Sequence, residues 1–314
     1  MKMAFINVLS ELAERDQRVM LLTGDLGFGI FDDFASRFQR RYVNVGVAES
    51  QLIMAAAGMA AVGLRPFTYS IASFATCRCY EQIKLAVAYP RLPVTVVGAG
   101  GGYAYSSSGV THHAGEDISL LCALPEMIVV APGDADELAQ LMPQMYASGK
   151  GGYLRIGRGR EKSYSSADRA VLGKARLLRN GERMAVLSTG EVASEVVDAI
   201  DMLKSSDITP AAYQYHTVKP LDVQTLDYLA ESMDAIVTVE EHVAGGGFGS
   251  QVASWLAARS HKSIHVPLSV GDKFVLGSPA RQEFRKSMGL DASGLARSIA
   301  SVWNASARIS ASNA

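Results

Sequence analysis

YVNVGVAESQLIMAAAGMAAVG occupies residues 42–63 and combines two local patterns. Its β-branched start predicts a short strand that ends at Gly46. The Ala- and Met-rich remainder contains no proline and predicts a helix over residues 48–62, with Glu49 in its first turn. A strand that runs directly into a helix is the repeating unit of α/β proteins.

The same alternation continues along the chain. Apolar runs typical of buried strands occupy residues 19–24, 93–99, 127–132, 184–190 and 235–241. Amphipathic helical patterns occupy residues 74–89, 134–147, 191–204 and 247–259. This alternation predicts the α/β class, with two doubly wound domains that are each a mostly parallel sheet flanked by helices.

A change in composition divides the chain of 314 residues. Residues 157–183 are rich in Arg, Ser and Gly, and most of this segment lacks apolar periodicity. We therefore predict a first domain over residues 1–160, a linker over residues 161–182 and a second domain over residues 183–314.

Charge and composition argue against several classes of protein. The formal net charge is -1, from 30 basic and 31 acidic residues, which gives no electrostatic footprint for nucleic acid or an anionic membrane. No run of about 18 apolar residues predicts a membrane span, and the first residues lack a signal-peptide pattern. The odd number of cysteines, three, argues against a disulfide framework. We expect a cytoplasmic protein without nucleic-acid or membrane partners.

Glu49 is the first candidate functional residue. An acidic side chain at the start of a helix often only complements the helix dipole. The neighbours Val45, Val47, Leu52 and Ile53 are apolar, however, and they predict that the carboxyl group is buried. Burial raises the pKa of a carboxyl group that lacks a partner, and a raised pKa suits proton exchange near neutral pH. On position alone, both interpretations stay open.

A strand-to-helix corner follows, with Phe67, Tyr69, Ile71 and Phe74. These residues suit either the core or a surface on which a flat heterocycle stacks.

Two polar segments come next. His112 and His113 follow a Gly/Ser-rich loop, and hydrogen bonding to a substrate suits them better than shared metal ligation, so no metal site is predicted. Arg158 and Arg160 follow a predicted strand, where they either bind phosphate or carboxylate groups or belong to a solvated linker.

These segments, in this order, resemble the transketolase family of thiamine-diphosphate enzymes. The matching motifs are LLTGDLG (21–27), RYVNVGVAES (41–50), FATCRCYEQI (74–83), GVTHHAGEDISLLCALPEMIVVAPGD (109–134), YQYHTVKPLD (213–222) and EEHVAGGGFGS (240–250). The resemblance covers essentially the whole chain. It implies a pyrimidine-binding domain followed by a transketolase C-terminal domain.

The resemblance also implies roles toward the cofactor. Glu49 matches the catalytic glutamate that hydrogen-bonds N1' of the aminopyrimidine and so activates the cofactor. Phe74 matches the aromatic residue that stacks on the pyrimidine, and Ile71 stands where family members often carry a second aromatic residue. Asp25 matches an acidic residue near the cofactor across a dimer interface.

Three further residues acquire substrate roles through the resemblance. His112 matches a catalytic histidine that contacts substrate hydroxyl groups near the reacting carbon. Arg158 matches an arginine that holds a sugar phosphate. His113 replaces a glutamine that is common after the first histidine, which leaves the acceptor open.

One family motif is absent from the sequence. Family members bind Mg²⁺ and the diphosphate through Gly-Asp-Gly followed by Asn-Asn, whereas this chain has Gly24-Asp25-Leu26 and no Asn-Asn dipeptide. Magnesium diphosphate requires hard oxygen ligands in a fixed arrangement. We therefore expect a separate N-terminal, diphosphate-binding subunit that supplies most of the Mg²⁺ ligands, shares thiamine diphosphate with this chain and forms an α2β2 heterotetramer with it. The exposed face of helix 50–62 is a candidate contact surface.

The resemblance favours one activity among several. It implies transfer of a two-carbon ketol unit from a phosphorylated ketose to an aldose, as in a split transketolase. The alternatives are the beta subunit of a 2-oxo acid dehydrogenase, a deoxyxylulose-phosphate-synthase-like enzyme, and a non-catalytic ligand-binding or scaffold subunit.

Overall fold

The computed structural model describes residues 1–159, 162–164, 166 and 168–312. The strands are β1 (Val19–Thr23), β2 (Tyr42–Asn44), β3 (Arg65–Ile71), β4 (Thr95–Ala99), β5 (Ile128–Val130), β6 (Gly152–Ile156), β7 (Arg176–Arg179), β8 (Met184–Ser188), β9 (Ala211–Gln214), β10 (Thr217–Lys219), β11 (Ala235–Val239) and β12 (Ile264–Leu268). The α-helices are α1 (Lys2–Arg15), α2 (Asp32–Arg37), α3 (Glu49–Ala61), α4 (Ala72–Thr76), α5 (Tyr80–Gln82), α6 (Asp117–Cys122), α7 (Ala135–Ser148), α8 (Ala193–Leu203), α9 (Val223–Ser232), α10 (Phe248–Ala257), α11 (Arg281–Met288) and α12 (Ala292–Ser312).

The first sheet has the order β10-β5-β6-β4-β3-β1-β2 within the described chain. Its strands are parallel except β10, which pairs antiparallel with β5 and comes from the second half of the sequence. β1 lies between β2 and β3, so Thr23 pairs with both Asn44 and Tyr69. The carboxyl ends of these three strands consequently meet at one edge, where open α/β sheets bind ligands.

The second sheet has the order β12-β11-β8-β9-β7 within the same described residues. It is parallel except for β7, which pairs antiparallel with β9. β7 lies inside the segment 161–182 that the sequence analysis assigns to a linker, and residues 161, 165 and 167 of that segment are outside the described part. The proposed division into domains remains a prediction. The prediction of two mostly parallel α/β sheets flanked by helices is confirmed.

One apolar cluster joins the two halves of the chain. It contains Leu22 of β1 and Ile53 of α3 together with Ala185 of β8 and Ile236 of β11, all of which are buried. α1 and α7 pack together beside a second cluster on the first sheet, while α8 and α12 pack beside a third on the second sheet. No helix in the described part of the chain is long and apolar enough to cross a bilayer.

Helix α3 confirms the predicted helix in residues 42–63. Its buried side chains, at spacings of three and four residues, pack against β3: Leu52, Ile53, Ala56, Ala57 and Ala60. The small alanines let the helix approach the sheet closely. Met54, by contrast, points outward and is 48% exposed.

The helical pattern over residues 74–89 is confirmed only in part. α4 ends at Thr76, a turn follows, and helical structure resumes with α5 and a π-helical turn over Ile83–Ala88. Thr76 donates a hydrogen bond from its hydroxyl to the carbonyl of Ala72 at 2.7 Å, a local interaction that bends or interrupts helices. The break brings Arg78 to the edge at which β3 ends.

Candidate active site

The carboxylate of Glu49 lies where β1 and β3 end and α3 begins. Glu49 is only 2% exposed, which confirms its predicted burial. Ser70 donates a hydrogen bond from Oγ to Glu49 Oε1 at 3.1 Å, and Arg78 donates from a guanidinium nitrogen to Glu49 Oε2 at 2.6 Å. Both carboxylate oxygens therefore have partners, as a charge in an apolar setting requires.

Phe74, on α4, is linked to this carboxylate through Arg78. The guanidinium carbon of Arg78 is 4.8 Å from the centroid of the Phe74 ring. His112 lies edge-on to Phe74, with 5.1 Å between the two centroids. The structure thus brings three predicted residues together, Glu49, Phe74 and His112, with Arg78 between the first two.

The row of contacts continues along the loop that carries His112. The ring of Tyr105 lies 6.1 Å from that of His112, and the guanidinium carbon of Arg158 lies 4.7 Å from the Tyr105 centroid. Arg158 is exposed and its Nη1 lies 3.4 Å from the hydroxyl of Ser107. One row of side chains therefore leads from the buried carboxylate to an exposed cation. Arg160 lies outside the described residues.

The two adjacent histidines point in different directions. His112 is half-buried, and Thr111 Oγ1 lies 2.9 Å from its Nδ1. His113 is buried, with Nε2 3.2 Å from the carbonyl oxygen of Ser106 and its ring 5.1 Å from that of Tyr103. His113 lines a cavity of about 330 Å³ that α3 does not reach. The substrate role of His113 stays a prediction, because its ring is buried against Tyr103 and does not join the row of contacts that contains His112.

Asp25 lies in the loop after β1, next to Glu49 through Gly24. A Cβ on Gly24 would lie 3.8 Å from Cγ of Glu49. Asp25 itself is exposed and exchanges two hydrogen bonds of 3.0 Å with the side chain of Asn44, which also accepts from the backbone of Gly46. Asn44 thereby ties the loop after β1 to the loop before α3.

Ile71 is half-buried at the end of β3. It stands between Ser70, which hydrogen-bonds Glu49, and α4, which carries Phe74. Its position is consistent with a wall of the same cleft, and its predicted contact with a cofactor remains a proposal.

The glycine cluster that precedes the His112 loop has a packing role. A Cβ on Gly98 would lie 2.4 Å from the hydroxyl of Tyr153, and one on Gly101 would lie 2.2 Å from Cγ of Arg155. On Gly102 it would lie 2.5 Å from a guanidinium nitrogen of Arg155. Only glycine leaves room for these two large side chains, so packing alone accounts for the glycines at these positions.

Tyr153 and Arg155 belong to a buried polar network beneath the loop. The Tyr153 hydroxyl donates to Asp117 Oδ2 at 2.7 Å, and Arg155 Nε lies 3.0 Å from the same oxygen. Arg155 also donates to the carbonyl of Glu241 at 3.0 Å. This network anchors α6, which follows the histidines, to the second half of the chain.

Cys77 lies near the cleft but lacks the character of a nucleophile. Its sulfur is 3.2 Å from Glu116 Oε1. Cys77 is exposed as a residue, but partial desolvation of its sulfur, followed by this carboxylate, raises the pKa of the thiol to about 12. The thiolate, which is the reactive form, is therefore scarce at neutral pH.

Sequence reasoning missed Ser70, Arg78, Asn44 and Tyr105. For Arg78 the sequence carries one signal, its position four residues after Phe74. That spacing places two side chains on one face of a regular helix, but the structure interrupts the helix after Thr76. No group of three or more His, Cys, Asp or Glu side chains within the described ranges is arranged to hold a metal ion.

Comparison with known proteins agrees with this architecture. Residues 1–160 match the family "Transketolase, pyrimidine binding domain", and residues 173–295 match "Transketolase, C-terminal domain". The chain belongs to the transketolase family. Its predicted resemblance to that family is thereby confirmed.

Several relatives are similar to this transketolase-family chain over nearly its full length. The 6-deoxy-6-sulfo-D-fructose transketolase subunit SqwH of Clostridium sp. (strain MSTE9) is 34% identical over 297 residues, which cover 93% of this chain and 91% of that protein. A subunit of the apulose-4-phosphate transketolase of Phocaeicola vulgatus is 32% identical and covers 94% of each chain. A solved structure described as "Split gene transketolase, inactive beta4 tetramer" has a TM-score of 0.85 at 29% identity, covering 95% of this chain and 96% of that one.

Longer family members match over part of their length. The 1-deoxy-D-xylulose-5-phosphate synthase of Syntrophotalea carbinolica is 32% identical over 305 residues, which cover 94% of this chain and 47% of the synthase. The chain therefore spans about half of that enzyme.

Proposed function

We propose that this chain is the pyrimidine-binding subunit of a two-component, thiamine-diphosphate-dependent transketolase. The reaction is transfer of a two-carbon ketol unit from a phosphorylated ketose to an aldose. The observation that carries the proposal is the buried carboxylate of Glu49, which Arg78 links to the ring of Phe74, with His112 in contact with that ring.

The cleft fits the pyrimidine half of the cofactor. An aminopyrimidine is flat and carries a ring nitrogen that pairs with a carboxyl group. Glu49 offers the carboxyl group and Phe74 offers an aromatic face, and the guanidinium of Arg78 contacts both. Ile71 supplies an apolar wall, and Asp25 lies at the adjoining rim. When bound, thiamine diphosphate supplies the electron sink for breaking a carbon–carbon bond next to a carbonyl group.

Glu49 holds a proton at the pyrimidine ring nitrogen N1'. Ser70 fixes the direction of the carboxylate through Oε1, so Oε2, which Arg78 contacts in this structure, is the oxygen that we assign to the ring. Burial excludes water from this contact and strengthens it. A proton held in such a setting is what general acid–base activation requires.

His112 and Arg158 act on the substrate. His112 is half-buried next to Phe74, where its ring nitrogen hydrogen-bonds a sugar hydroxyl and takes or gives its proton. Arg158, beyond Tyr105 in the same row, binds the anionic end of the sugar. The names of two relatives support an anionic sugar, since one specifies a sulfonated and the other a phosphorylated substrate.

A second polypeptide completes the site in this proposal. The missing Gly-Asp-Gly and Asn-Asn motifs leave the diphosphate and Mg²⁺ to an N-terminal transketolase subunit. Two relatives are named as subunits, and the similar solved structure is described as an inactive tetramer of beta chains. These names support a second subunit without which this chain is inactive. The α2β2 stoichiometry and the cytoplasmic location remain predictions.

The surface next to Glu49 suits contact with such a subunit. Val47 is 74% exposed just before α3, and Met54, further along the helix, is 48% exposed. Apolar side chains at the mouth of a cleft are typical of protein interfaces. We propose that this end of α3 faces the partner.

Reconstitution tests the function. This chain is mixed with the product of a gene that encodes Gly-Asp-Gly and Asn-Asn, together with thiamine diphosphate and Mg²⁺, and ketose/aldose pairs are screened by mass spectrometry. We expect products two carbons longer than the aldose, and none from either chain alone. Product formation from pyruvate instead would support the deoxyxylulose-phosphate-synthase-like alternative, which the similar synthase keeps open.

A further inference from the structure

Arg78 contacts both of the groups that the proposed function assigns to the pyrimidine ring. Its guanidinium donates to Glu49 Oε2 at 2.6 Å, and the guanidinium carbon lies 4.8 Å from the centroid of the Phe74 ring. The side chain of Arg78 is 51% exposed, whereas that of Glu49 is 2% exposed. One cation at the mouth of the cleft thus covers a buried anion and an aromatic face together.

The buried carboxylate explains why the cation is there. Ser70 provides one hydrogen bond, to Oε1, and Oε2 pairs with Arg78. An ionised carboxylate in an apolar setting is strongly destabilising when one of its partners is removed. In the chain without cofactor, Arg78 compensates the charge of Glu49 in place of the ligand.

The same two contacts occupy the groups that the proposed function assigns to the ligand. A planar guanidinium over an aromatic ring, hydrogen-bonded to a carboxylate, has the shape and contacts of a protonated flat heterocycle. An aminopyrimidine that pairs with Glu49 Oε2 and stacks on Phe74 requires the same space.

We propose that Arg78 is a displaceable placeholder for the aminopyrimidine, which swings out of the cleft when thiamine diphosphate enters; this inference rests on the proposed function. The half-exposed side chain sits on the turn between Thr76 and Tyr80, at the break after α4, so it reaches solvent by rotation of its own bonds. The cofactor then takes over compensation of Glu49.

The cofactor binds only while Arg78 is out of the cleft. The apparent affinity for the cofactor is therefore the intrinsic affinity multiplied by the fraction of time that the cleft is open. Replacement of Arg78 by methionine removes the side chain that competes with the cofactor. In the free chain the charge of Glu49 then lacks its cationic partner, whereas in the loaded complex the cofactor takes that place. Arg78→Met should therefore lower the melting temperature of the chain alone and tighten thiamine diphosphate binding to the reconstituted complex by about tenfold.

The matched control is Arg259→Met. Arg259 also pairs with a carboxylate, Asp227 at 3.4 Å, and also lies over an aromatic ring, Trp255 at 3.2 Å, but it lies after α10 in the second half of the chain. Its replacement removes an ion pair, here with an exposed carboxylate, and a contact with an aromatic face, and it should leave cofactor affinity unchanged.

The experiment is isothermal titration of thiamine diphosphate with Mg²⁺ into the complex, at pH 8, for wild type, Arg78→Met, Arg259→Met and Glu49→Gln. Tighter binding to the Arg78 variant alone supports the placeholder. The placeholder is overturned if the Arg78 variant binds thiamine diphosphate as tightly as wild type or more weakly. If wild type binds in that case and Glu49→Gln binds poorly, the proposed function still stands. If wild type itself fails to bind, both proposals are wrong.

Discussion

The imidazole ring of His112 stands edge-on to the ring of Phe74, with 5.1 Å between the centroids and 62° between the ring planes. This contact fixes a half-buried histidine beside the face that we assign to the cofactor. An edge-on aromatic pair stabilises one orientation of the ring beyond simple burial. The histidine is therefore held in place at the cleft before any substrate arrives.

His112→Asn keeps a polar side chain but removes the titrating ring. We expect kcat/KM to fall by about 100-fold, the scale of a positioned proton-transfer group, while the Kd of thiamine diphosphate changes little. The measurement combines steady-state kinetics with cofactor titration. An equal loss of cofactor affinity would instead assign His112 to cofactor binding.

Glu49→Gln tests the central carboxylate. The amide preserves the shape of the side chain and its contact with Ser70, so the melting temperature of the chain should stay near that of wild type. Turnover in the reconstituted complex should fall by roughly 100-fold or more, because the amide cannot hold a proton at N1'. Near-native turnover would contradict the role of Glu49, and Arg259→Met serves as the control for a surface substitution.

Arg158→Ala tests the anion site at the other end of the row. The guanidinium lies over Tyr105 and is exposed, so its removal should leave the fold intact. We expect KM for phosphorylated or sulfonated ketoses to rise by about tenfold or more, while KM for uncharged ketoses stays within about twofold. Equal effects on both classes of sugar would show that Arg158 does not bind the anion.

The sequence predicts Glu49 and Phe74 but not Ser70 and Arg78, the two partners of the Glu49 carboxylate. Glu49 and Phe74 are set by local patterns: an apolar helix start and a strand-to-helix corner. The partners of Glu49 depend on the break after Thr76, which a regular helical pattern over residues 74–89 conceals. In that pattern Arg78 is one more residue on a helix.

Non-local packing limits the prediction of the fold in the same way. The edge strand β10 joins a sheet formed by residues far earlier in the chain, and no local pattern specifies that antiparallel partner. The glycines at 98, 101 and 102 make room for Tyr153 and Arg155, which lie much later in the sequence. Because those partners are distant, the local spacing of the glycines does not reveal their packing role and resembles that of a ligand-binding loop.

The last prediction concerns the ion network around Glu241. Burial by itself would raise the pKa of this carboxyl group, but Arg281 and Arg285 outweigh burial and hold the pKa well below the ordinary value of 4.5. Arg281 lies 2.8 Å from Glu241 Oε2, and both arginines also pair with acids of the α8 region, Glu191 and Glu195.

A carboxyl group whose pKa is depressed in the folded chain stabilises the fold above its unfolded pKa. The stabilisation is lost as the pH falls below about 4.5 toward the folded pKa, because the unfolded chain then binds a proton that the folded chain excludes. Urea unfolding of the chain at pH 7, 5 and 4 should show a smaller loss of stability on acidification for Glu241→Gln than for wild type. The variant should also be less stable at pH 7, by about 3 kcal/mol, since two largely buried guanidinium groups lose a charged partner. Parallel pH profiles for the two proteins would mean that Glu241 is not the carboxyl group that links folding to pH in this range.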